Sequence, residues 1–125
     1  MIEYTVTVDT NGDRKWYLND QRHREDGPAI ERANGDKEWY LNNEHHREDG
    51  PAVIYSDGSK FWYLNGKRHR EDGPAVECDY GFKAWYLKDQ ELTESEFNER
   101  MNPTIEMTVA ELEKKLGIKN LKIVK

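Results

Sequence analysis

The chain has a single cysteine in 125 residues, Cys78, so no intrachain disulfide can form and a reducing compartment is the simpler reading. Long hydrophobic runs are missing too. No stretch approaches the length that spans a bilayer, and the N-terminal MIEYTVTVDT has no basic region and no apolar run, so no secretory leader is expected. These absences point to a cytoplasmic protein. There is no basic excess: the formal charge is −6, with arginines and lysines interleaved among the acids. That balance disfavours general affinity for nucleic-acid backbone or anionic lipid, and it leaves no extended field of one sign. Hydrophobic residues make up only 35% of the chain and charged residues another 35%, proportions that in many sequences accompany disorder.

Aromatic residues argue the other way. Four Trp, seven Tyr and three Phe supply large burial per residue, and they are placed with strict regularity. Trp16, Trp39, Trp62 and Trp85 recur every 23 residues without insertion or deletion; so do Gly12, Gly35, Gly58 and Gly81, and so do Gly27, Gly50 and Gly73. A chain of 14.8 kDa supports one modest core, so an ordered but thin structure with a narrow core is expected.

Residues 2–8 alternate, with Ile2, Tyr4, Val6 and Val8 opposite Glu3, Thr5 and Thr7, which predicts a half-buried strand capping the first unit. In the third unit Phe61 to Asn65 reads as a strand, and Asn65-Gly66 as a type I′ hairpin turn. The equivalents Asn19-Asp20, Asn42-Asn43 and Lys88-Asp89 fit that turn less well, so it need not be the same in every unit. Asp72-Gly73-Pro74 is turn punctuation, Ala75-Val76 begins a return strand, and Asp57-Gly58 links one unit to the next. An antiparallel meander follows, in which Trp62 and Leu64 face one side and Tyr63 the other.

The stretch WYLNGKRH, followed by a glycine-containing turn, a short strand and YSDG, resembles a MORN repeat. That resemblance implies 23-residue hairpins lined up into an elongated, slightly curved sheet. Arg-Glu-Asp-Gly-Pro stands where such repeats carry Gly-x-Gly, so the units are MORN-like, over residues 9–92. HREDGPA units followed by a short helical tail ending in LKIVK also resemble small bacteriophage-encoded repeat proteins. The resemblance speaks for architecture and carries no activity with it.

The fourth unit departs from the pattern. After Trp85-Tyr86-Leu87 the expected HREDGPA becomes Leu92-Thr93-Glu94-Ser95-Glu96, whose Thr-x-x-Glu is a capping box opening a helix from Glu94 to about Met101. Thr108-x-x-Glu111 opens a second helix through Leu116, with Val109, Leu112 and Leu116 as its apolar stripe and Gly117 past its end. Leu121, Ile123 and Val124 read as a short strand. The expected fold is therefore mainly β (α+β): an elongated antiparallel β-hairpin sheet over residues 1–92, with a C-terminal cap over residues 93–125 lying on the last hairpin.

His23, His46 and His69, with Glu25, Glu48, Glu71 and Asp26, Asp49, Asp72, look at first like metal-ligand clusters, and His45 adds a second imidazole in one unit. Units of two strands put equivalent side chains roughly 9–10 Å apart, too far to share an ion bound at about 2 Å, so neither metal nor cofactor is expected. A catalytic use of the same residues would repeat one site three times with no Ser or Cys nucleophile beside it. The stronger expectation is that Arg24, Arg47 and Arg70 pair with carboxylates of their own or the next unit in a solvated ladder. The Trp and Leu rows are expected to form the core. Tyr17, Tyr40, Tyr63 and Tyr86 point the other way, either as a protein-binding face, with the arginines of the loops, or as support for the tail helices.

The function expected is a non-enzymatic protein-binding module, such as a phage accessory protein that binds a host factor, a defence nuclease for example. Direct nucleic-acid or membrane binding is not expected. A self-associating structural component is the alternative, with an acidic nucleic-acid mimic and a His/acid-dependent hydrolase behind it.

Overall fold

The computed structural model describes residues 3–103 and 108–117. The backbone is mainly antiparallel sheet with two short helices. Nine strands lie side by side: Thr5–Val8, Arg14–Leu18, Ile30–Glu31, Lys37–Glu38, Val53–Ile54, Lys60–Phe61, Val76–Glu77, Lys83–Leu87 and Gln90–Leu92. A tenth, Gln21–Arg22, pairs with the second half of Arg14–Leu18, and two separate ribbons are made by Tyr40–Leu41 with Glu44–His45 and Tyr63–Leu64 with Lys67–Arg68.

The strands of the middle units are shorter than the alternation predicts, because each is cut at its tryptophan. Phe61 pairs with Val53 and Val76, whereas Tyr63 pairs with Arg68. Between them the Trp62 N–H donates to the Ala75 carbonyl at 2.8 Å, and the Trp62 carbonyl accepts from the His69 N–H at 3.1 Å. The chain changes partner at that residue, from the long sheet to its own hairpin. Trp39 makes the same pair of bonds with Ala52 and His46.

All four hairpin turns adopt one conformation. Both central residues have positive φ in every case, including Lys88 at 48° and Asp89 at 69°. The sequence left room for the poorer turns to differ, and they do not. Part of the reason lies outside the turn: the Asn43, Gly66 and Asp89 N–H groups each donate at 2.9 Å to a carbonyl of the preceding hairpin, on Arg22, His45 and Arg68. In the last three turns the neighbouring hairpin thus adds to local propensity, while Asn19-Asp20 in the first takes the same conformation with no such hairpin before it.

The core is also not where the aromatic pattern puts it. Ala29, Ala52 and Ala75 are fully buried, flanked by buried Ile30, Val53 and Val76, while the four tryptophans stay half-buried. A single sheet has no second apolar layer to lay over a row of indoles; small residues fill the closest approach, and the rings are covered by something else. At the N-terminus, Thr5–Val8 pairs with Arg14–Leu18, but all four of its residues are exposed, so the expected half-buried strand is an exposed one. Ile2 lies outside the described residues.

Helix α1 spans Glu94–Met101, with Thr93 as N-cap and both halves of the capping box formed with Glu96, as the sequence predicts. Its Phe97 packs on Leu87 and Leu92, with Trp85 and Met101 beside them. Helix α2 spans Val109–Leu116, capped by Thr108 and ended by Gly117 in the left-handed conformation. The stripe residues Val109 and Leu116 are exposed and Leu112 is half-buried. The strand expected at Leu121, Ile123 and Val124 lies outside the described residues.

Candidate functional site

The histidine–arginine loops are folded around their own side chains. In the third unit the Arg70 guanidinium lies 3.8 Å over the Trp62 ring, its Nε donates to Asp72 at 2.8 Å, and its terminal nitrogen donates to the Pro74 carbonyl at 3.0 Å. Arg24 and Arg47 repeat this over Trp16 and Trp39, each at 4.0 Å. The same terminal nitrogen also reaches Glu31 from Arg24 and Glu77 from Arg70, at 2.9 and 3.0 Å. The second unit has Ile54 at that position, and Arg47 has no such bond.

Each arginine therefore covers an indole with a flat cation, a contact worth about 0.5–2 kcal/mol. It also explains the glycine. A Cβ on Gly50 would stand 3.0 Å from Arg47 Cζ, so a side chain there would push the guanidinium out of its seat by a few tenths of an ångström. The expected ladder of solvated ion pairs is corrected accordingly: the arginines pair within their own units but are largely covered, and only their aspartate partners face solvent. Those aspartates are held below the usual carboxylate range, first by the hydrogen bond from arginine.

The histidines are equally committed. His23 Nδ1 accepts the Asn42 N–H at 3.0 Å, His46 Nδ1 that of Asn65 at 2.9 Å, and His69 Nδ1 that of Lys88 at 3.0 Å. With Nδ1 an acceptor, the proton of the neutral ring sits on Nε2. That atom faces Glu25, Glu48 and Glu71 at 3.4, 3.7 and 3.8 Å respectively. The fourth unit has no following hairpin to bind, and there Leu92 takes the place of histidine and Thr93 that of arginine. There Phe97 of α1 joins Leu87 and Leu92 in a buried cluster against which Trp85 and Met101 pack.

The tyrosine row is not a free surface. Tyr40 is only 5% exposed, and Tyr17, Tyr63 and Tyr86 are half-buried. Side chains from the returning strands interleave with them: Arg22 lies 4.5 Å over Tyr40, His45 packs between Tyr40 and Tyr63 at 4.2 and 5.0 Å, and Arg68 lies 4.2 Å over Tyr86. Helix α1 does not use this face; it packs beside Trp85 and Leu87 on the other one. Glu38 gathers His45 Nε2 at 3.0 Å, the Tyr40 hydroxyl at 3.2 Å and Arg32 at 3.3 Å. The hydrogen bond from His45 holds the Glu38 carboxyl low, and burial pushes the Tyr40 hydroxyl up to about 12. Of residues 22, 45 and 68 the sequence singles out only His45, and as an extra imidazole rather than a tyrosine neighbour; their placement across the hairpin from each tyrosine is the available signal.

Two clefts open on the tryptophan side, between successive loops. One of about 740 Å³ is lined by Trp39 and Leu41 with Arg24, Arg47, Glu25 and Glu48; a second of about 520 Å³ is lined by Trp62 and Leu64 with Arg47, Arg70, Glu48 and Glu71. Among the described residues no group of three or more His, Cys, Asp or Glu is arranged to hold a metal ion, and no helix is long and apolar enough to cross a membrane.

Compared with protein-family models, with curated proteins and with solved structures, the chain finds no match in any of the three.

Proposed function

We propose that this chain is a MORN-like hairpin array acting as a non-enzymatic binding module, and that it holds a partner protein along the tryptophan side of its sheet. The observation that carries the reading is the division of labour within HREDGP. Its histidine Nδ1 atoms and its arginine guanidinium groups are consumed in holding hairpins and loops together. Its glutamates stand exposed beside two open clefts whose walls combine Trp and Leu with charged loop side chains. Apolar patches bordered by polar groups are the usual anatomy of a protein-binding surface. The resemblance to small phage-encoded proteins directs the search for a partner to host factors, a defence nuclease among them.

Glu48 lies on the rims of both clefts with its side chain 84% exposed, so Glu48→Trp should obstruct both without disturbing the fold. Affinity capture from host lysate with the wild type and with this variant tests the reading. A partner retained by the first and lost by the second supports it, while a partner held equally by both places the interface elsewhere.

A further inference from the structure

The two clefts are related by one step of the sheet, and that step restricts what can fill both at once. Each of the middle units contributes two strands to the long sheet, so one unit advances about 9.6 Å, twice the strand spacing of about 4.8 Å. Glu25, Glu48 and Glu71 occupy equivalent positions in three consecutive units and thus form a row at that step. Their side chains are 61%, 84% and 73% exposed, and among the described residues the ion-pair partners of their carboxylates are imidazole Nε2 atoms at 3.4–3.8 Å. The neighbouring aspartates already hold arginine Nε groups. The glutamates on the rims therefore present negative charge that no arginine or lysine of the described residues is paired with, beside walls in which Trp and Leu alternate with the loop arginines.

A polypeptide laid across the strands must match the step. In an extended β conformation, side chains on one face recur every two residues, about 6.7 Å, and then at about 13.4 Å. On an α-helix one face recurs near 5–6 Å and again, seven residues on, near 10.5 Å. A polyproline II helix has three residues per turn and rises about 3.1 Å per residue, so one face recurs every 9.3 Å or so. Only the last keeps phase with the clefts to within a few tenths of an ångström per unit.

We propose that the clefts bind a proline-rich segment in the polyproline II conformation carrying lysine or arginine at every third position. The cations pair with Glu25, Glu48 and Glu71, and the prolines pack on Leu41, Leu64 and the parts of Trp39 and Trp62 that the Arg47 and Arg70 guanidinium groups leave uncovered. This deepens the binding-module reading and rests on it. Preformed polyproline II loses little conformational freedom on docking, which suits shallow aromatic clefts.

The test uses the full chain and three synthetic peptides, built from Lys-Pro-Pro, Lys-Pro-Pro-Pro and Glu-Pro-Pro repeats. Tryptophan fluorescence and calorimetry at low ionic strength read the binding. The Lys-Pro-Pro peptide should bind about tenfold or more tighter than the four-residue repeat, whose cations fall out of phase and engage one carboxylate at a time. The Glu-Pro-Pro peptide should not bind. Replacing Glu25, Glu48 and Glu71 by Gln, singly and then together, should weaken binding about two- to fivefold per carboxylate, with Glu48→Gln acting on both clefts. Equal affinity for the two lysine peptides, unchanged binding by the triple variant, or no binding of Lys-Pro-Pro would overturn the inference. A partner still captured in a Glu48-dependent way when the peptide does not bind would leave the binding-module reading standing and remove only this assignment of its ligand.

Discussion

His23 offers the sharpest perturbation, because its two ring nitrogens do different things. It is 6% exposed, its Nδ1 accepts the Asn42 N–H at 3.0 Å, and its ring stacks against Tyr4 at 6.3 Å. His23→Phe keeps a ring of similar size but strips the acceptor, leaving the Asn42 amide facing carbon. An amide left without its partner costs about 1–3 kcal/mol, here toward the lower end because the Asn42 side of the bond reaches solvent. With a urea slope of about 1–3 kcal/mol per molar, the midpoint should fall by roughly 1 M. His23→Asn and His23→Gln sharpen the test. The asparagine carbonyl lies near the position of Nδ1, whereas glutamine reaches that of Nε2, so Asn should restore the bond and Gln should not. Urea unfolding followed by tryptophan fluorescence gives the order of stabilities, and hydrogen exchange at the Asn42 amide reads the bond itself. Exchange should accelerate in the Phe and Gln variants and stay protected in the Asn variant. A Phe variant as stable as the wild type, with Asn42 exchange unchanged, would refute the claim that these histidines exist to hold the next hairpin.

Three further predictions concern charge. Ile54→Glu should give Arg47 the carboxylate that Glu31 gives Arg24 and Glu77 gives Arg70, raising stability by up to about 1 kcal/mol in thermal unfolding, with the gain shrinking in salt. For pH dependence, Asp26, Asp49 and Asp72 have depressed values in the folded state, so the stability they contribute is present above the ordinary aspartate range, near 3.9, and is lost as pH falls through the lowered values. Asp49→Asn should flatten that acid limb. Tyr40 has the opposite sign: its folded value is raised to about 12, so its contribution is intact below the usual tyrosine value near 10 and is lost as pH climbs toward 12. Ultraviolet titration should show a late phenol, and Tyr40→Phe should remove it.

The sequence by itself determined the periodic elements. The 23-residue spacing, the glycine turns, the hairpin positions and both helices, down to Thr93 and Thr108 as caps, follow from local chemistry: positive-φ residues, capping side chains and alternation act within a few residues of themselves. What only the tertiary structure decided is which atoms those elements leave free. Whether His23 serves as a ligand, a base or a staple depends on an amide 19 residues away, and whether Arg47 is a solvated ion or a lid on Trp39 depends on how the Asp49-Gly50-Pro51 turn closes over it. The tyrosines read as a surface because alternation gives a side chain's direction, and direction does not say what lies opposite; in Tyr40 it is Arg22, His45 and Glu38. Local rules place a residue on a face, whereas burial and hydrogen-bond partnership are sums over neighbours from other units, fixed only once the hairpins stand next to one another.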